Sequence, residues 1–230
     1  MRIGSIQRSS LIDYPGKISA IVFTIGCNFR CPYCHNPELV DPGLFPDPVP
    51  EEEVIRFLER RKGKLDAVVI TGGEPALQDD LLDFMARIKK MGYLVKLDSN
   101  GSRPEIIEEA ISRGVVDYLA MDVKAPLDKY QDVTKSNINT DSIISSIDKI
   151  MGSSLDYEFR TTILRPLLTC DDILEIGHLI KGARTYVLQM FVPTKTLDPK
   201  LPSGEAFSDD EIRVLKDKLS NRFVDRCIVR

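Results

Sequence analysis

The sequence predicts an α/β fold built from parallel strands. Short apolar, β-rich runs alternate with amphipathic runs six times in succession. Glycine, proline and asparagine punctuate the joints, and no internal repeat, low-complexity segment or linker divides the chain. Such alternation implies parallel strands joined by right-handed crossovers. An open sheet and a barrel both satisfy it, although 230 residues fall short of the roughly 250 of a complete eight-fold barrel.

The elements follow in order. "ISAIVFTI" (18–25) reads as a buried strand, and "PEEEVIRFLERRK" (50–62) as a helix with proline at its start and acids in its first turn. "DAVVIT" (66–71) is a second strand. "LQDDLLDFMARIKKMG" carries apolar residues at helical spacing and ends in basic residues and Gly92. "YLVKLDS" (93–99) is a third strand, "RPEIIEEAISRG" a helix between Pro104 and Gly114, and "VVDYLAMDV" (115–123) a fourth strand. A polar stretch over 125–140, helical in part, leads to the helix "DSIISSIDKIMG" and the strand "DYEFRTTIL" (156–164). The helix "CDDILEIGHLIKG" and the strand "RTYVLQMFV" (184–192) complete six units. Beyond a proline-rich loop (193–204) come the helix "SDDEIRVLKDKL" and a possible seventh parallel strand in "RFVDRCIVR".

Bulk properties exclude several function classes. A net charge of −4 with basic residues scattered among acids is no nucleic-acid footprint. The longest apolar runs are too short to span a bilayer, and the first residues lack the apolar stretch of a signal peptide. A cytoplasmic protein without nucleic-acid or membrane partners is expected. Five cysteines, three of them clustered, do not form a disulfide framework in that compartment. Cys170 at a helix start and Cys227 near the end of the chain read as small hydrophobes.

In either architecture ligands gather at the carboxyl ends of the strands. The residues there are Gly26-Cys27, Thr71-Gly72-Gly73-Glu74-Pro75, Asp98-Ser99-Asn100-Gly101, Met121-Asp122-Val123-Lys124 and Leu164-Arg165-Pro166, with Gln189 on the sixth strand. The first joint opens "CNFRCPYC", three cysteines spaced Cys27-x3-Cys31-x2-Cys34. A closed zinc site takes four ligands, and His35, next to Cys34, is poorly placed to be the fourth. A redox pair would use Cys31 and Cys34 and leave Cys27 unexplained. A [4Fe–4S] cluster held by three cysteines keeps one iron open to a substrate or cofactor. In "TGGEP", glycines after a strand allow close backbone approach with exposed N–H groups, and Glu74 offers a carboxylate to an ammonium.

The cysteine loop after the first strand and Gly72-Gly73-Glu74 after the second together resemble the radical S-adenosylmethionine superfamily, with Tyr33 at that family's aromatic position. The resemblance runs from about Ser10 to Val192. It implies a partial (βα)6 TIM-like barrel and a single domain over 1–230, with a core over about 16–192 and a terminal helix and strand in 205–230. It implies a [4Fe–4S] cluster on Cys27, Cys31 and Cys34, whose open iron takes S-adenosylmethionine by its amino and carboxylate groups. Gly72, Gly73 and Glu74 would hold the methionyl amine, and Tyr33 would pack near the adenine. Asp98, Ser99, Asp122 and Lys124 would approach the methionyl carboxylate, the ribose or a nearby cation, and Gln189 the ribose or adenine.

The flanks "SSLIDYPGK" and "CHNPEL" resemble the activating enzymes of glycyl-radical proteins, and within them the activators of anaerobic ribonucleoside-triphosphate reductase. Asp13-Tyr14-Pro15-Gly16 departs from the Asp-Gly-Pro-Gly of pyruvate formate-lyase activases. No further cysteine pairs follow the loop, so one cluster is expected. The implied chemistry is reductive cleavage of S-adenosylmethionine, with flavodoxin or ferredoxin as electron donor, to a 5′-deoxyadenosyl radical that takes hydrogen from a glycine of the partner. The alternatives are a radical enzyme acting on a small molecule, as 7-carboxy-7-deazaguanine synthase does, and an iron–sulfur carrier or zinc-binding interaction protein without catalysis.

Overall fold

The computed structural model describes residues 1–201 and 206–230. Among them, eight strands form one sheet in chain order: β1 (Ile3–Ser10), β2 (Ser19–Thr24), β3 (Ala67–Gly72), β4 (Leu94–Ser99), β5 (Tyr118–Asp122), β6 (Asp156–Ile163), β7 (Tyr186–Met190) and β8 (Cys227–Val229). From β2 to β8 every neighbouring pair is parallel. The six expected strands are present, and the possible strand in 222–230 is β8. Strand β1, antiparallel to β2, is unheralded in the sequence. Its "IGSIQRSS" is mostly polar, and its pairing comes from the hairpin rather than from an apolar face.

The helices are α1 (Pro37–Val40), α2 (Glu51–Arg60), α3 (Leu81–Lys90), α4 (Pro104–Ser112), α5 (Tyr130–Thr134), α6 (Thr140–Met151), α7 (Cys170–Leu179) and α8 (Asp209–Arg222). Helix α3 shows why they sit where they do. Leu81, Phe84, Met85 and Ile88 recur at helical spacing, and each is at most 1% exposed. Pro104 supplies the fixed φ of the first turn of α4. Thr169 and Ser208 begin α7 and α8 with reciprocal capping boxes, to Asp172 and Glu211. The short α1 lies in a stretch to which the sequence reading assigns no element, and α5 is the helical part expected within 125–140.

Some expected boundaries move; the sixth expected strand shortens from 184–192 to Tyr186–Met190. The fourth strand contracts from 115–123 to Tyr118–Asp122, because Val115 still bonds back to the Ala110 carbonyl at 3.2 Å as helix exit. Of the loop 193–204, the part to residue 201 is described; residues 202–205, where the expected terminal segment begins, lie outside the described residues.

The sheet has an outer and an inner core. The larger one packs helices against its outer face. A small separate cluster of Tyr14, Ile21, Ala67, Val69, Tyr118 and Ala120 lines the inner face near the strands' amino ends. The β1–β2 loop plugs that end: Tyr14 lies 5.5 Å from the Tyr118 ring, and Lys96 Nζ donates to the Asp13 carbonyl at 2.7 Å. Above this apolar floor the inward positions are charged. Glu158 on β6 meets Arg230, just past β8, at 2.9 Å, and Cys27, just past β2, shares a cavity with that same Arg230. Such contact between strands far apart in the sheet order requires a strongly curved sheet, the partial barrel expected from the resemblance.

Candidate active site

The carboxyl ends of the strands surround a cavity of about 470 Å³. It brings together all twelve residues singled out in the sequence: Cys27, Cys31, Tyr33, Cys34, Gly72, Gly73, Glu74, Asp98, Ser99, Asp122, Lys124 and Gln189. One expected joint is absent. Arg165 points elsewhere and pairs with Glu211 on α8, and the fifth parallel strand contributes Arg160 and Thr162 instead.

The cysteine loop is fixed at both ends. Gly26 turns it with φ +100°, a region glycine enters without strain. The Arg30 amide donates to the Thr134 carbonyl at the end of α5 at 2.8 Å, and Phe29 meets Tyr130 edge-on at 6.2 Å. From the other side, the amides of Leu197 and Asp198 donate to the carbonyls of Cys34 and Pro32, each at 3.0 Å. His35 stacks on Phe191, and its Nε2 lies 3.0 Å from the Val192 carbonyl, so its ring fastens the loop.

Burial raises all three thiols, Cys27 to about 12 and Cys31 to about 11. Thiols held so high are poor nucleophiles and poor redox partners. They become thiolates when a metal displaces the proton. Among the described residues no three His, Cys, Asp or Glu side chains gather around a point where one ion would sit. A cluster asks for something else, one thiolate on each of three irons.

The role of "TGGEP" differs from the sequence expectation. The Gly73 and Glu74 amides are not exposed; they donate to the carbonyls of Thr24 and Gly26, at 2.9 and 2.8 Å. A Cβ on Gly72 would strike the Thr24 backbone, and one on Gly73 the Gly26 carbonyl. The two glycines therefore let the end of β3 lie flush against the root of the cysteine loop. Glu74 is 1% exposed. It accepts from the Ala76 amide (3.0 Å), the Ser99 hydroxyl (2.8 Å) and the Asn100 amide (2.6 Å). Burial outweighs these bonds and lifts its carboxyl to about 7. No ion pair of Glu74 occurs among the described residues, so it is a buried acid short of a counter-ion.

Opposite lies a chain of alternating charge. Lys96 pairs with Asp98 (3.0 Å), Asp98 with Arg160 (3.0 Å), Arg160 with Asp122 (2.8 Å) and Asp122 with Lys124 (2.9 Å). Burial opposes both aspartate charges, yet Arg160 and its lysine neighbours hold Asp98 and Asp122 below the usual carboxylate range. Asp98 and Asp122, two negative charges, are thus matched by the three cations Lys96, Arg160 and Lys124. Lys124 also lies 5.9 Å from the Tyr33 ring centre. Tyr33 is buried, with its hydroxyl beside the Cys31 thiol. Sequence reasoning missed Arg160 and Arg230 as lining residues, and named Asn100 only as part of a strand end without a role. For Arg160 a signal existed: Glu158, Arg160 and Thr162 alternate along one face of β6, and charged residues at period two on a buried strand mark a polar interior.

With the geometry established, residues 21–180 match the Radical SAM superfamily. A Methanocaldococcus jannaschii protein named as a candidate glycyl-radical enzyme activating enzyme is 35% identical over 236 residues, spanning 99% of this chain and 95% of its own length. The chain belongs to the radical SAM superfamily, in its family of glycyl-radical-enzyme activating enzymes. The pyruvate formate-lyase-activating enzyme of Clostridium pasteurianum is another relative, 30% identical over 205 residues and covering 85% of this chain and 83% of its own. Among solved structures, Streptococcus suis SuiB bound to precursor peptide SuiA superposes with a TM-score of 0.67 over 91% of this chain and 48% of its own, at 12% identity. That likeness concerns the fold alone. Family membership implies a [4Fe–4S] cluster and S-adenosylmethionine. The residues present fit both: three thiols on one wall, and a buried carboxylate without a counter-ion among the described residues. Among the described residues no helix is long and apolar enough to cross a membrane.

Proposed function

We propose that this chain activates a glycyl-radical enzyme, with anaerobic ribonucleoside-triphosphate reductase as the partner and flavodoxin or ferredoxin as the electron donor. The observation that carries the reading is the pairing within one cavity of the three-cysteine wall with Glu74, a buried carboxylate lacking a cation. Cys27, Cys31 and Cys34 would hold the [4Fe–4S] cluster. Glu74, with the carbonyls of Gly72 and Gly73, would take the ammonium of S-adenosylmethionine. Arg160 and Lys124 would share its carboxylate with Asp98 and Asp122, while Ser99, Tyr33 and Gln189 complete the seat for ribose and adenine. With both bound, the cluster would supply one electron to the sulfonium for carbon–sulfur cleavage, with methionine as the leaving group and a 5′-deoxyadenosyl radical to take hydrogen from a glycine.

The chain's own residues bind, orient and exclude water. The glycine contact of β3 with the cysteine loop fixes the distance between ammonium seat and thiols. The ion-pair chain is paired before any ligand arrives, so its dipoles need little reorganisation. No side chain is required to move a proton.

Anaerobic reconstitution with iron and sulfide, followed by dithionite and S-adenosylmethionine, should yield 5′-deoxyadenosine. Addition of anaerobic ribonucleotide reductase should then give a glycyl signal in electron paramagnetic resonance. Retention of zinc alone, or no cleavage, overturns the reading. Cleavage without a glycyl signal on that reductase, but with one on another glycyl-radical protein, changes the partner only.

A further inference from the structure

Asn100 stands between the two halves of the cavity and touches both. Its backbone amide donates to Glu74 Oε2 at 2.6 Å. Its side-chain Oδ1 accepts from the Ser102 amide at 2.9 Å, which fixes the orientation of the side-chain amide and turns Nδ2 toward the cysteine loop. Nδ2 donates to Asn28 Oδ1 at 2.9 Å and reaches Cys27 Sγ at 3.9 Å. Asn28 in turn donates to the Ser102 hydroxyl at 2.9 Å, so the asparagine pair locks the loop after β4 to the cysteine loop. The Phe29 amide donates to the same sulfur at 3.4 Å. Asn100 is 6% exposed, so its donor is shielded from water.

We propose that Asn100 is a positioning residue for the metal centre: its side-chain amide donates to the Cys27 sulfur and thereby raises the reduction potential of the cluster bound there, while its main chain holds Glu74. This rests on the cluster-binding reading above. An N–H donor stabilises the more negative, reduced state of an iron–sulfur centre, and hydrogen bonds to ligand sulfurs are a main determinant of its potential. The same residue links electron acceptance at Cys27 to the ammonium seat at Glu74.

The test is the midpoint potential of the reconstituted cluster, measured by redox titration with electron paramagnetic resonance in the absence of S-adenosylmethionine. Asn100→Ser keeps an oxygen able to accept from the Ser102 amide, but its hydroxyl is too short to reach Cys27. Its midpoint should fall by the equivalent of about tenfold in the reduction equilibrium, ~59 mV for one electron. Asn28→Ala removes the bond between the asparagines yet leaves the donor to sulfur, and its midpoint should stay near the wild type. Equal potentials in all three proteins, or equal falls in both variants, overturn the inference and leave the proposed function intact. A wild-type chain that takes up no cluster overturns both.

Discussion

Glu74 concentrates the physics of the cavity in one side chain. A carboxylate accepting three hydrogen bonds would ordinarily titrate low, yet burial lifts it to about 7. An ammonium ligand needs the charged form, so wild-type affinity for S-adenosylmethionine should weaken as pH falls through 7, by about tenfold per pH unit below it. Glu74→Gln should bind about 10–100-fold more weakly, with little pH dependence, while still loading iron; isothermal titration under argon measures both. The stability sign runs the other way. The folded value lies above the unfolded 4.5, so the protonated form favours the fold, and that stability falls as pH rises from about 4.5 and is fully lost just above about pH 7. The melting temperature of wild type relative to Glu74→Gln should therefore rise from about pH 8 to about pH 5.5. A wild-type affinity flat across this range would remove Glu74 from the ammonium seat. Arg160 makes the complementary case. It neutralises two buried aspartates at 3.0 and 2.8 Å, so Arg160→Ala should cost about 3–5 kcal/mol in denaturant unfolding as well as weakening binding of the carboxylate.

At the scale of elements, the contact between the end of β3 and the root of the cysteine loop couples the two motifs. Gly73→Ala puts a methyl where the Gly26 carbonyl lies. The neighbour there is backbone and cannot rotate away, so strand and loop must part. Iron content after reconstitution and affinity for S-adenosylmethionine should fall together, each by about fivefold or more, since overpacking of this kind costs ~1–3 kcal/mol. Loss of one without the other would show that the motifs are not coupled through this contact. The same contact marks the limit of the sequence. "CNFRCPYC" and "TGGEP" were legible as motifs because thiols and paired glycines are rare and chemically specific. The glycines' partner was not, because closeness between residues 26 and 73 exists only in the pairing of β2 with β3. Strand β1 was hidden for a related reason: its polar residues carry no period, and its order comes from its neighbour. Arg160 was half-legible. Its alternation with Glu158 and Thr162 signals a polar inner face, but attention to the residues after the strand pointed to Arg165, which faces α8.

On the scale of the whole molecule, the inner face of the sheet is organised in two tiers, apolar at the amino ends of the strands and ionic at the carboxyl ends. The ionic tier reaches as far as β8 through Arg230, which grips the fully buried Glu158 with two bonds at 3.1 and 2.9 Å. The strand itself is only Cys227–Val229, too short for its ladder alone to hold the edge, so this pair should be a main anchor of β8. Arg230→Ala leaves Glu158 buried without a close ion pair, with Lys96 at 4.0 Å and the charge of Arg160 as its remaining cationic neighbours among the described residues. Arg230 is 41% exposed, which moderates the loss, and about 2 kcal/mol is expected in denaturant unfolding. Hydrogen exchange should rise first in the amides of β8. If that cost is the stranded carboxylate rather than lost packing, Glu158→Gln in the Arg230→Ala background should recover about half or more of it, giving a coupling energy between the two positions of at least ~1 kcal/mol. Additive losses would instead mean that β8 is held by its backbone and by Cys227 in the outer core, and that the ionic tier ends at β6.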